Sequence, residues 1–191
     1  MTKYLVLGSA PGLVGWCNDK RRLFGRLHVC PINNAWQPVG ADAVGTWFRS
    51  LDFYVAGTVL PGEDDRKVLE QKEVTKVLRK PFYYDGDNLV GTMLLGVLSH
   101  LHNVIVAGDS PGGVAVAFTD LVYPPGGVTH WYGPQGAPDP LRYDDLLDGW
   151  LAKTKDAYER SGISLVNVSP PILVSTTRLP FPRTSIEEFA R

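Results

Sequence analysis

Tyr4-Leu5-Val6-Leu7-Gly8-Ser9-Ala10-Pro11-Gly12 is the stretch whose reading decides the fold. Four apolar residues stop abruptly in a run of small residues and one proline. A run bounded in this way predicts a buried strand followed by a tight turn. In α/β proteins the turn after the first strand is a common seat for phosphates. Small residues let the backbone approach a ligand, and its N–H groups can point at an anion. The turn is not the G-x-G-x-x-G dinucleotide fingerprint, and no Gly-Lys-Ser/Thr follows to make it a P-loop. A purely structural strand-to-loop turn is the competing reading.

Outward from this stretch, further apolar and β-branched runs occur at 27–32, 52–56, 104–107 and 163–168, with the first extending over 3–8. Each is expected to be a strand. Between them lie segments of helical character. Residues 64–79 carry Val68, Leu69, Val74, Val77 and Leu78 among charges, and 88–102 reads as a buried helix with Asn88 as N-cap. Residues 141–161 place Leu146, Leu147, Trp150, Leu151, Ala157 and Tyr158 at helical spacing, and Gly162 is placed to end that helix. Strands alternating with helices predict an α/β fold, a single Rossmann-like domain over 1–191 with a mostly parallel sheet flanked by helices. No internal repeat and no domain linker interrupts the pattern.

The chain has 191 residues, enough for a substantial core, and a formal net charge of −1. That balance argues against a basic nucleic-acid face over the whole molecule. No stretch is long enough to span a bilayer, and the N-terminus lacks the pattern of a signal peptide. Cys17 and Cys30 are the only cysteines, which excludes a disulfide scaffold and points to free thiols in the cytoplasm. The 15 prolines and 20 glycines cluster at 108–113, 124–140 and 170–182, where interleaved aromatics indicate shaped loops rather than disorder.

Ligands in parallel sheets bind beyond the carboxyl ends of the strands. That rule nominates Gly8–Gly12, Asn33–Trp36, Gly108–Gly113 and Asn167–Ser169. Asn33, Asn34 and Trp36 can read a base or sugar by hydrogen bonds and stacking, or form an Asx turn with Trp36 in the core. Asp109, in the turn after Gly108, can accept from a sugar hydroxyl or cap the turn. His130, between Thr129 and Trp131 in a Pro/Gly-rich loop, has the chemistry of a general base near neutral pH. His28, His100 and His102 lie in strand or helix patterns. Arg178 and Arg183 offer fixed-charge donors for phosphate or carboxylate, or two solvated charges. Asp85-Gly86-Asp87 matches the D-x-D of metal-dependent glycosyltransferases, but N-terminal capping of the following helix explains the same acids.

The order of these pieces resembles the bacterial sialyltransferases of glycosyltransferase family 42, and related sialyltransferase-like and pterin-pyrophosphokinase-like domains. Gly8-Ser9-Ala10-Pro11-Gly12 stands where those proteins carry a nucleotide-holding G-x-G-P-S turn. Asn33 matches their Asn after the next strand, and Gly108-Asp109 resembles their Gly-x-Asp turn. Thr129-His130-Trp131-Tyr132-Gly133 aligns with a Ser-His-Tyr-x-Gly stretch, and Asn167-Val168-Ser169-Pro170 with a Cys-Pro-Asn-Ser-like end. The resemblance implies that His130 activates the acceptor hydroxyl, that the donor is a CMP-linked sugar and that no metal is required. It also implies substrate or phosphate contacts from Tyr132, Asn167 and Ser169, to which the chemistry of Arg178 adds a fourth. One departure stands out: the family's tyrosines after the Gly-x-Asp turn are missing from Ser110–Phe118, where Tyr123, Tyr132 or Arg178 would have to substitute.

The resulting expectation is a metal-independent glycosyltransferase acting on a nucleotide-sugar and a hydroxyl acceptor, without a resident cofactor. Two other readings stay open. One is pyrophosphoryl transfer from ATP, with Mg²⁺ held by Asp85, Asp87 and Asp109. The other is an inactive nucleotide-binding or assembly module.

Overall fold

β1 (Lys3–Leu7) sends its side chains alternately into two cores: Leu5 and Leu7 into one, Val6 into the other, all three fully buried. A strand buried on both faces belongs in a parallel sheet covered by helices on each side. The computed structural model describes residues 2–50, 75–78, 82–85, 88–91, 93–108, 112–119, 121, 144–170 and 177–191. Within them, β1 is followed by α1 (Leu13–Phe24), β2 (His28–Pro31), a 3-10 turn (Asn33–Ala35) and the short α2 (Trp36–Val39). Then come β3 (Trp47–Ser50), β4 (Thr75–Leu78), β5 (Phe82–Asp85), β6 (Asn88–Gly91) and α3 (Met93–Ala107). The last elements are β7 (Gly113–Ala117), α4 (Asp144–Arg160), β8 (Ser164–Asn167) and α5 (Ile186–Phe189).

The central sheet has the order β2-β1-β7-β8 and all its pairs are parallel. β7 repeats the alternation of β1, with Val114 and Val116 in the core of Val6, and Ala115 and Ala117 in the core of Leu5 and Leu7. α1 covers the second of these faces through Leu13, Cys17, Leu23 and Phe24. On the opposite face, α3 buries Leu94, Leu98, Leu101 and Ile105, a spacing that makes one helical stripe. α4 packs beside it through Leu147, Leu151 and Tyr158, whose hydroxyl donates to the Leu98 carbonyl at 2.7 Å. The result is a Rossmann-like α/β fold, a parallel sheet between two helical layers.

β3 and β4 form a parallel pair, and single bridges from Val29 to Val44 and from Ile32 to Phe48 attach that flank to β2. The chain therefore builds from β1 through β2 toward β3, then returns to place β7 on the other side of β1. The strand order reverses between β1 and β7, and such a switch point opens a crevice at the carboxyl edge of the sheet.

Several expectations need correction. Residues 104–107 are the last turn of α3, not a strand. Val104-Ile105-Val106 is β-branched, but Ile105 continues the buried helical stripe, while Val104 and Val106 are 42% and 49% exposed. The helix expected over 88–102 begins at Met93, and Asn88 is not its cap. Asn88 opens β6, which pairs antiparallel with β5, Asp85 opposite Asn88. The capping explanation for Asp85 falls with it. Residues 75–78 of the expected 64–79 helix form β4, where pairing with β3 overrides helical patterning. The runs 52–56 and 64–74 lie outside the described residues. The helix expected over 141–161 is α4, and Gly162, at φ 67°, follows its end.

Tyr158→Phe removes the buried tie between α4 and α3, and chemical denaturation should show a loss of about 1 kcal/mol. A second expectation concerns pH. Burial lowers the pKa of His28 and of His100, and a nearby Lys76 adds to the shift at His100. The unfolded chain then binds protons at higher pH than the native state. Native stability is retained above about pH 6.5 and falls as pH drops below it. His28→Gln should flatten part of that fall in melts taken between pH 7.5 and 5.

Candidate functional site

The switch-point crevice is built by backbone before side chains. β1 ends at Leu7, and Gly8 donates to the Ala117 carbonyl at 2.9 Å, holding the turn against the end of β7. A Cβ on Gly8 would stand 2.1 Å from the Phe118 carbonyl oxygen and 2.6 Å from Cγ2 of Thr119. Only glycine permits that approach. Gly12, at φ 88°, then turns the chain into α1. The first ladder bond of α1 runs from the Trp16 N–H to the Gly12 carbonyl, so the N–H groups of Leu13, Val14 and Gly15 precede the ladder. Among the described residues no side chain caps this terminus, and no acidic residue lies in its first turn. Its partial positive charge is left for another acceptor.

Two buried oxygens flank the turn. Asn34, in the 3-10 turn after β2, is 1% exposed, and its Oδ1 has no hydrogen-bond partner among the described residues. Thr119, just past β7, is 7% exposed, and its Oγ1 is likewise unpartnered among them. Leaving such a group unpaired costs about 1–3 kcal/mol. Strain gathers at the same edge. Asn33, Phe118 and Leu121 adopt positive φ values of 46°, 58° and 60°. For a bulky residue such as Phe118 this is a disfavoured conformation that its surroundings must enforce. Its N–H donates to Ser169 Oγ at 3.2 Å, its carbonyl accepts from Ala10 at 3.4 Å, and its ring meets Trp16 edge-on at 5.4 Å.

The residues expected to form the site separate into groups. Gly8, Ser9, Ala10, Pro11, Gly12, Asn33 and Asn34 share the carboxyl edge of β1 and β2. Gly108 does not join them. It follows α3 and precedes β7, and Gly113 pairs with Lys3, so this glycine turn lies at the amino edge of the sheet. The nomination of Gly108 as a strand end is corrected there: with 104–107 helical, the residue after it follows a helix. Trp36 is 2% exposed and packs edge-on against Trp47, whose indole N–H donates to the Asn33 carbonyl at 2.7 Å. His130, Asp109, Tyr132 and Tyr123 lie outside the described residues.

Asn167 and Ser169 lie at the carboxyl end of β8, where they brace the frame. Asn167 Oδ1 accepts from the Ser169 N–H at 2.9 Å, and its Nδ2 donates to Thr177 Oγ1 at 3.3 Å. Arg183 donates to the Ser169 carbonyl at 2.6 Å. Arg178 pairs with Asp148 of α4 at 2.9 Å. Thiol chemistry finds no support at either cysteine: burial raises the Cys17 pKa to about 12 and pushes Cys30 upward as well. Among the described residues no three His, Cys, Asp or Glu side chains gather as a metal site, and no helix is long and apolar enough to cross a membrane.

Thr119 and Phe118 are what sequence reasoning passed over. The signal was present: Val114-Ala115-Val116-Ala117-Phe118 is an apolar run bounded by Gly112-Gly113 and Thr119-Asp120. It was obscured by the β-branched run just upstream.

The chain matches no family model, no curated protein and no solved structure. The resemblance to family 42 therefore rests on the short motifs quoted above.

Two substitutions probe the crevice in the free protein. Gly8→Ala drives a methyl into the Phe118 carbonyl and should destabilise by about 2–3 kcal/mol. Thr119→Val replaces an unpaired hydroxyl with a methyl of similar shape and should leave the melting temperature unchanged or raise it. A loss above about 1 kcal/mol in the Val variant would mean that the hydroxyl is bonded in the free protein.

Proposed function

We propose that the chain binds a nucleotide-sugar at the carboxyl edge between β1 and β7 and acts as a metal-independent glycosyltransferase-like enzyme. The observation that supports the binding half is the Gly8–Gly12 turn at a topological switch point, leading into the uncapped N-terminus of α1. Backbone N–H groups and the helix dipole suit a phosphate there. Asn34, buried beside the turn with an unpaired acceptor oxygen, suits an N–H or O–H of the nucleoside.

The transfer half comes from the sequence. His130 takes the proton of the acceptor hydroxyl as that oxygen attacks the anomeric carbon. The bond from that carbon to the nucleotide phosphate breaks, and the phosphate leaves with its electron pair. His130 has to be neutral for this, so the rate rises with pH through its pKa.

A thermal-shift panel of CMP, UDP, GDP, ATP and their sugars, with and without Mg²⁺, tests the binding. A ligand at a hundred times its Kd stabilises by about 2.7 kcal/mol, a rise of roughly 5–10 °C for a domain of this size. A panel with no shift would refute the nucleotide reading. His130→Ala should lower kcat by about 10²–10⁴-fold while leaving nucleotide affinity unchanged. Wild-type turnover in a stable His130→Ala protein removes His130 from the mechanism. Activity that vanishes in EDTA and returns with Mg²⁺ replaces glycosyl transfer by metal-dependent pyrophosphoryl transfer.

A further inference from the structure

Resting on the nucleotide reading, we infer that Thr119 reads the sugar-side substituent of a phosphate or pyrophosphate that spans the switch point, on the far side from Asn34. Asn34 follows β2 and Thr119 follows β7, and β1 with the Gly8–Gly12 turn lies between those strands. Two strand spacings separate the carboxyl ends of β2 and β7, about 10 Å. A phosphate on the central turn leaves one unpaired oxygen to each side. A terminal monophosphate reaches only one of them. A phosphate or pyrophosphate substituted at both ends extends toward both.

The position of Thr119 is not a by-product of packing. Phe118 holds a disfavoured backbone conformation, and it does so with its N–H and its carbonyl both engaged. The Ser169 hydroxyl that accepts from it is itself anchored, since the Ser169 N–H is held by Asn167 and the Ser169 carbonyl by Arg183. The strain bends the chain directly after β7 and sets Thr119 with its methyl beside Gly8. A threonine kept only for structure would bond its hydroxyl there. This one stays 7% exposed and unpartnered among the described residues. A hydroxyl both donates and accepts, which suits a hydroxylated, sugar-like substituent. Asn34 Oδ1 only accepts, which suits the nucleoside side.

The experiment titrates wild type, Thr119→Val and Thr119→Ser by calorimetry against four pairs of probes. These are CMP with CMP-linked sialic acid, UDP with UDP-glucose, GDP with GDP-mannose, and ADP with ADP-glucose. For the pair that binds, the sugar ester should bind tighter than the parent nucleotide. Thr119→Val should weaken the sugar ester about five- to tenfold, leave the parent nucleotide unchanged and keep a native melt. Thr119→Ser should retain wild-type affinity for both. If Thr119→Val binds both members of the pair as wild type does, or weakens both equally, the assignment of Thr119 fails while the nucleotide reading stands. If no probe binds wild type, both fall together.

Discussion

The close approach of β1 to the end of β7 is the constraint on which the carboxyl edge depends. Gly8 lies where the Phe118 carbonyl leaves no room for a side chain, and its N–H holds the Ala117 carbonyl. That contact joins the two strands where the sheet reverses its order. It also fixes where the Ser9–Gly12 turn begins and where α1 starts. Any side chain at position 8 would move the turn, the helix terminus and Thr119 together.

Away from this edge the molecule follows the economy of a doubly covered sheet. Leu5, Leu7, Ala115 and Ala117 meet α1 and α5, while Val6, Val114 and Val116 meet α3 and α4. Small residues on the β7 face toward α1 sit opposite larger ones on β1, which keeps that layer close. Inside the layers the Tyr158 hydroxyl donates to the Leu98 carbonyl, and Asn167 accepts from the Ser169 N–H. The Asn34 and Thr119 oxygens, unpartnered among the described residues, both stand at the carboxyl edge. Two open oxygens beside a strained turn cost stability at that place. Unsatisfied groups and backbone strain gather where a ligand supplies the missing partners.

The C-terminal segment belongs to this edge too. Arg183 bridges Asn167, and the Pro182 carbonyl and Thr184 N–H continue the pairing along the end of β8. α5 then tucks Ile186 and Phe189 under the sheet, and Lys20 of α1 pairs with Glu187 at 2.9 Å. Residues that looked suited to phosphate, Arg178 and Arg183, are instead joined to Asp148 and to the Ser169 carbonyl. They hold the frame in which Ser169 constrains Phe118.

The sequence by itself determined β1, its glycine turn, β2, α4 and β8, because each combines a local periodicity with a boundary residue that acts within a few positions. Tyr4–Leu7 before Gly8 and the helical stripe before Gly162 need no distant partner to be read. It also brought the Gly8–Gly12 turn and Asn34 into one candidate site through the rule for strand ends. The tertiary structure alone decided the rest. Val104-Ile105-Val106 is helical because Ile105 extends the buried stripe begun by Leu94, and Thr75–Leu78 is a strand because β3 is there to pair with it. That helix carries the Gly108 turn to the far edge and brings Thr119 to the near one. No local pattern contains that exchange, since it depends on which end of β7 lies beside Gly8, and strand direction is a property of the assembled sheet.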